Sequence, residues 1–135
     1  MTGAAVAVWR RTDAGVEWLV LHRSHFRAEF AGDWAWGPPG GVCDSGERID
    51  ECARRELREE TGLEVTCVRT TCGERAAQAI AADFVLFHAE VPADAEVVLS
   101  WEHDAYRWLP LAEAAALCRP AYVGDQLACV AALIG

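Results

Sequence analysis

Three glutamates, Glu56, Glu59 and Glu60, stand at i, i+3 and i+4 in the stretch Arg54-Arg-Glu-Leu-Arg-Glu-Glu60. In a helix this spacing puts all three carboxylates within about 100° of arc. Like charges that close cost a few tenths of a kcal/mol per pair, and nothing in folding demands them. A hard divalent cation turns the repulsion into coordination, because Mg²⁺ prefers oxygen ligands. Such a centre acidifies water and neutralises phosphate charge, while a neighbouring carboxylate accepts the proton. The competing use of the same residues is a solvated acidic face balanced by Arg54, Arg55 and Arg58.

Other residues could hold a phosphorylated ligand. Arg23 closes an apolar run and Arg27 follows it, so either could meet a phosphate chain. Trp34 and Trp36 precede a Gly37-Pro-Pro-Gly-Gly41 turn, where an indole could stack on a heterocycle or anchor the loop to the core. His22-x-x-His25 lacks cysteine partners, and in a strand one of the two faces the sheet and the other does not.

The surrounding segment resembles the Nudix box, G-x5-E-x7-R-E-U-x-E-E-x-G-U with U a bulky aliphatic residue. Gly41, Glu47, Arg55, Glu56, Leu57, Glu59, Glu60, Gly62 and Leu63 fill every fixed position. The resemblance implies a Nudix hydrolase, which cleaves a nucleoside diphosphate linked to a further group. It implies Mg²⁺ or Mn²⁺ as cofactor, metal ligation by Glu56, Glu59 and Glu60, and Glu56 or Glu60 as catalytic base. It also offers the Gly40 carbonyl as a ligand and makes Gly41, Glu47, Arg55 and Gly62 structural. Many members add an acidic ligand from outside the box. Glu102 is the candidate here, with Asp104 and Glu74 in reserve.

A weaker resemblance links Glu102-His-Asp-Ala-Tyr-Arg-Trp-Leu109 and the Ala-rich 111–117 to dihydroneopterin triphosphate pyrophosphatases. It would make a pterin triphosphate the substrate. Nucleoside triphosphates, dinucleoside polyphosphates and nucleotide sugars stay open beside it. A nucleotide-binding module without catalysis is the alternative from another class, but such modules commonly lose box glutamates.

The elements that must position these residues follow from pattern. Residues 4–10 and 16–22 read as strands joined by a Thr12–Gly15 turn. Residues 24–41 are a shaped loop. Helical periodicity runs over 47–61, with Asp44 and Glu47 spaced as a capping box, Gly62 as the terminating glycine, and Ile49, Ala53 and Leu57 facing the core. Residues 64–72, 84–91 and 105–109 read as strands, and 111–118 and 123–134 as helices, the last burying Leu127, Val130, Ala131 and Ile134. No assignment follows for 74–83. The pattern predicts one mixed α/β domain over residues 1–135. The family resemblance implies a Nudix fold, with a mixed sheet between helices in an α/β/α arrangement.

Composition sets the outer bounds. The 135 residues carry 12 basic and 21 acidic side chains, a net charge of −9, and every basic residue is Arg. That field disfavours nucleic acid and anionic membrane as partners and suits a small-molecule diphosphate and divalent cations. No apolar run reaches the length of a membrane span. The N-terminal residues lack a signal-peptide pattern, so a cytoplasmic protein with six reduced, mostly buried cysteines is expected. The family's habit raises a homodimer as the assembly.

Overall fold

A computed structural model describes residues 2–72 and 83–135. Strands β1 (Thr2–Thr12) and β2 (Gly15–Arg23) form the expected antiparallel hairpin, paired from Trp9↔Trp18 to Thr12↔Gly15. Beyond Trp9 and Trp18 the two strands part. Two short strands, β3 (Trp36–Gly37) and β4 (Gly40–Val42), fill the opening. β3 pairs with β2 through Leu21 and His22, and β4 pairs with β1 through residues 3–5. The Gly- and Pro-rich loop is therefore a wedge between splayed strands, fixed further by the Val6 N–H donating to the Pro39 carbonyl at 2.8 Å.

β5 (Val68–Arg69) and β6 (Asp83–Glu90) extend the sheet beyond β1, with β6 parallel to β1, and β7 (His103–Leu109) pairs antiparallel with β2. Seven strands make one mixed sheet among the described residues. The strand expected over 64–72 shrinks to two residues, since only Val68 and Arg69 pair with β6. Val65 and Cys67 instead pack against the core from an irregular segment. Residues 74–82 lie outside the described residues, and Glu74 with them.

Side chains alternate across the sheet and define two cores. On one face Val6, Val8, Leu19 and Leu21 meet α1 (Ile49–Thr61) through Cys52, Ala53 and Leu57. On the other, Ala7, Trp9, Trp18 and Val20 meet α2 (Leu111–Leu117) and α3 (Ala121–Ile134) through Ala114, Leu127 and Val130. This is the helix–sheet–helix layering that the family resemblance implies.

Helix α1 begins at Ile49, two residues later than the periodicity suggested. Arg48 stands at its N-cap with no side-chain cap bond. Asp44 and Glu47 close a separate turn ahead of it: the Glu47 N–H donates to the Asp44 carbonyl, and the Asp44 N–H donates to Glu47 Oε1 at 2.9 Å. Gly62 terminates the helix in the left-handed region, φ 74°, as expected.

The expectation of six reduced cysteines needs correction. Cys43 is bonded to Cys52, and Cys72 to Cys129. Only Cys67 and Cys118 are free thiols. Each bond joins partners that chain folding, rather than local spacing, brings to Cα separations of 5.3 and 5.9 Å.

Candidate active site

The site forms where α1 crosses the wedge. β4 holds Gly40 and Gly41 against two carboxylates from the helix. The Gly40 N–H donates to Glu60 Oε1 at 3.0 Å. A Cβ at Gly41 would stand 2.6 Å from the Glu56 carboxyl, so this close approach needs glycine. Gly40 has no more room: its Cβ would meet the Ala4 carbonyl oxygen at 2.5 Å. Glu56 and Glu60 are both buried.

Burying two carboxylates together has an electrostatic cost. Desolvation, contact with the Glu56 carboxyl and the charge of Glu102 raise the Glu60 pKa from 4.5 to about 9. The Gly40 N–H opposes this only in part. Arg55 supplies the nearest cation. Its Nε and Nη2 donate to Glu47 at 2.8 and 3.0 Å, and its Nη1 donates to Glu56 Oε1 and Glu59 Oε2, each at 3.0 Å. These bonds hold the Glu47 carboxyl below its ordinary pKa and raise that of Arg55. A fifth bond, Nη2 to the Val42 carbonyl at 3.2 Å, ties the helix to the end of β4.

The sequence-predicted residues separate into groups. Glu56 and Glu60 come together, with the Glu102 charge acting on Glu60 from the turn before β7. Glu59 is half-exposed (49%) and turned to Arg55. Among the described residues, no three of these four carboxylates have oxygens within 4.8 Å of one another. Asp104 does not join them. It pairs with His22, whose Nδ1 lies 2.7 Å from Asp104 Oδ1 while its Nε2 donates to the Phe30 carbonyl at 2.9 Å.

The donor set is consistent with a hard divalent cation: carboxylate oxygens packed on a glycine cradle and only partly neutralised by Arg55, with no thiol or imidazole among them. Glu56 and Glu60 could hold one between them, with the Glu102 charge close enough to act on Glu60.

A cavity of about 490 Å³ opens above this floor. Arg23, His25, Trp34, Trp36, Glu60 and Glu102 contribute to its walls. Trp36 is buried between His22 and Arg107, so it anchors the loop. Trp34 keeps 41% of its surface exposed and meets Tyr122 edge-on, with ring centroids 5.9 Å apart. Arg27 is not in the wall: it is 81% exposed and paired with Glu29.

Sequence reasoning missed Arg119, just before α3, and Tyr122 and Gln126 within it, which also line the cavity. Tyr122 and Gln126 are one helical turn apart, and that i, i+4 spacing was the available signal. His103 also lines the cavity, with burial and the nearby Arg23 charge lowering its pKa to about 4.

Comparison with known proteins bears on the family and the fold. The NUDIX domain family model matches residues 1–126. The chain is 38% identical over 110 residues to the asymmetrical bis(5'-nucleosyl)-tetraphosphatase of Mus musculus, covering 77% of this chain and 71% of that one. It is 34% identical over 104 residues to the nucleoside triphosphatase NudI of Escherichia coli, covering 68% of this chain and 72% of that one. Among solved structures, an Ap4A hydrolase binary complex from C. elegans superposes with a TM-score of 0.78 at 25% identity, over 98% of this chain and 97% of that one. This chain thus belongs to the Nudix hydrolase family and is a pyrophosphohydrolase.

Proposed function

We propose that the chain is a divalent-cation-dependent hydrolase of nucleotide-linked polyphosphates, with a dinucleoside tetraphosphate as its substrate. The observation that carries the proposal is the Glu56–Glu60 carboxyl pair on the Gly40–Gly41 cradle, with Glu60, Gly40 and Gly41 lining an aromatic, arginine-bearing cavity. The choice of substrate rests on the relatives, since both the mouse protein and the worm structure carry names specific to that substrate class.

A bound Mg²⁺ or Mn²⁺ would neutralise phosphate charge and acidify water. The chain's own residues do the rest. Arg23 and Arg119 line the cavity where a polyphosphate would lie and can pair with its oxygens. Arg55 keeps Glu56 and Glu59 in place through Nη1. Either Glu56 or Glu60 takes the proton of the water that attacks phosphorus, and burial keeps both clear of bulk solvent. Hydrolysis of this kind needs chiefly positioning and charge neutralisation, which a rigid loop–helix platform supplies. The net charge of −9 supports a small, cation-accompanied substrate over a nucleic-acid polymer.

The test is product analysis by chromatography with Mg²⁺ and with chelator. The panel holds dinucleoside tetraphosphates, nucleoside triphosphates, dihydroneopterin triphosphate, ADP-ribose and nucleotide sugars. Chelator-sensitive release of a mononucleotide from the dinucleoside tetraphosphate supports the proposal. Cleavage confined to another class overturns the substrate. No cleavage anywhere, with nucleotide still raising the melting temperature, would leave a binding module.

A further inference from the structure

Two tryptophans stand at the same end of the sheet, one on each side of β2. β3 and β7 both begin beside the C-terminal end of β2: Trp36 and Ala105 both pair with His22, and His103 pairs with Arg23. With neighbouring strands about 4.8 Å apart, the chains entering β3 and β7 lie about 10 Å from each other across Arg23. Trp34 sits two residues before β3 begins at Trp36, and Trp101 sits two residues before β7 begins at His103. Both line the cavity above Glu60 and Glu102.

The two rings are held differently. Trp34 has φ 70°, a left-handed conformation that is an outlier for a bulky residue. Its N–H donates to the Arg119 carbonyl at 2.7 Å, and its ring meets Tyr122, so it forms part of the wall. Trp101 is 86% exposed, the barest large apolar side chain among the described residues. Its backbone is nevertheless pinned. Its carbonyl accepts from Ser24 Oγ at 2.8 Å, and the Ser24 N–H donates to the next carbonyl, Glu102, at 2.9 Å. A ring left this bare, on a fixed turn at the edge of the cavity, is placed to cover a ligand.

We infer that Trp34 and Trp101 are separate stacking platforms for two nucleobases, Trp34 inside the cavity and Trp101 at its mouth, so that Trp101 selects two-ended substrates over one-ended ones. The inference rests on the proposed polyphosphate hydrolase. A dinucleoside polyphosphate carries a base at each end, and the two rings, on chains entering strands on opposite sides of β2, offer one platform for each. Trp101, the barer of the two and next to Glu102, is the platform for the second base. Stacking tolerates any base, so the platform reads the presence of a second base rather than its identity.

The experiment compares kcat/KM for a dinucleoside tetraphosphate with that for the matching mononucleoside tetraphosphate. Wild type, Trp34→Ala, Trp101→Ala and Trp101→Phe are measured, with melting temperatures as a folding check. The expected result is that Trp101→Ala lowers the dinucleoside to mononucleoside ratio about tenfold through KM, the scale of one base–aromatic stack. Trp101→Phe restores most of it, and Trp34→Ala weakens both substrates alike. Equal losses on both substrates in Trp101→Ala would mean one base clamped between the rings, and unchanged kcat/KM on both would mean a bystander. Either overturns the inference while the hydrolase stands. Calorimetric binding of a methylene-bridged dinucleotide analogue gives the same comparison independently of turnover. Wild-type protein that neither cleaves nor binds either compound would overturn the hydrolase reading and the inference together.

Discussion

Glu60 is the residue on which the site's electrostatics turn. Its folded-state pKa, about 9, lies above its ordinary 4.5, so between those values the folded chain binds a proton that the unfolded chain has released. Stability from this group is therefore full below about pH 4.5 and lost as pH rises toward 9. Cation-free protein should melt at progressively lower temperature over that window. Glu60→Gln should flatten the slope while lowering turnover by at least about 10²-fold. Mg²⁺ should raise the wild-type melting temperature more at pH 8 than at pH 6. Thermal melts across pH, with and without Mg²⁺, check this. A variant that keeps the slope would place the titration elsewhere, and unimpaired turnover in both Glu59→Gln and Glu60→Gln would remove the metal-site assignment. Glu56, Glu59 and Glu60 were legible as a group because one helix carries all three, and helical spacing brings them to neighbouring positions on its surface. The His22–Asp104 pair was not, since it joins residues 82 apart through pairing of β2 with β7.

At the scale of elements, the wedge over β3 and β4 and the helix α1 form one unit. The two adjacent glycines separate its structural and chemical duties. A Cβ at Gly40 meets backbone, the Ala4 carbonyl oxygen at 2.5 Å and Ala5 Cα at 2.7 Å, which cannot swing aside. For a Cβ at Gly41 the nearest atoms are instead the carboxyl end of the Glu56 side chain, at 2.6–2.7 Å. Gly40→Ala should therefore lower the melting temperature by roughly 5–10 °C, the cost of forcing packed strands apart. Gly41→Ala should melt close to wild type yet lose at least about tenfold in kcat by displacing the Glu56 carboxyl. Paired melts and kinetics check it, and a large stability loss in Gly41→Ala would show the carboxyl unable to move. The sequence marked this segment as a loop, because Pro38-Pro39-Gly40-Gly41 forbids helix. Its insertion between β1 and β2 depends on where those strands diverge, which alternation along each strand does not encode.

Across the whole molecule, two disulfides tie the site's supports together. Cys43–Cys52 joins the residue after β4 to the first turn of α1, and Cys72–Cys129 joins the chain beyond β5 to α3. Each closes a loop of the length that constrains the unfolded chain by about 2–4 kcal/mol. Full reduction should lower the melting temperature on the order of 10 °C. A melt in excess dithiol reductant, with thiols counted before and after, checks this. An unmoved transition on going from two to six titratable thiols would show the cross-links to be energetically idle. The pairings were hidden from sequence because six cysteines allow many connectivities and none carries a C-x-x-C signature.

Gly40, Gly41, Glu56 and Glu60 constrain one another so tightly that the floor of the cavity can hardly change by single steps. The rim is under no such restraint: Trp101 touches little, and Gln126 projects from one turn of α3. Descendants of this chain can exchange one leaving group for another by drift at the rim alone, with the hydrolytic apparatus inherited intact. A laboratory library aimed at new substrates should be diversified at 101 and 126 and held fixed at Gly40, Gly41, Glu56 and Glu60.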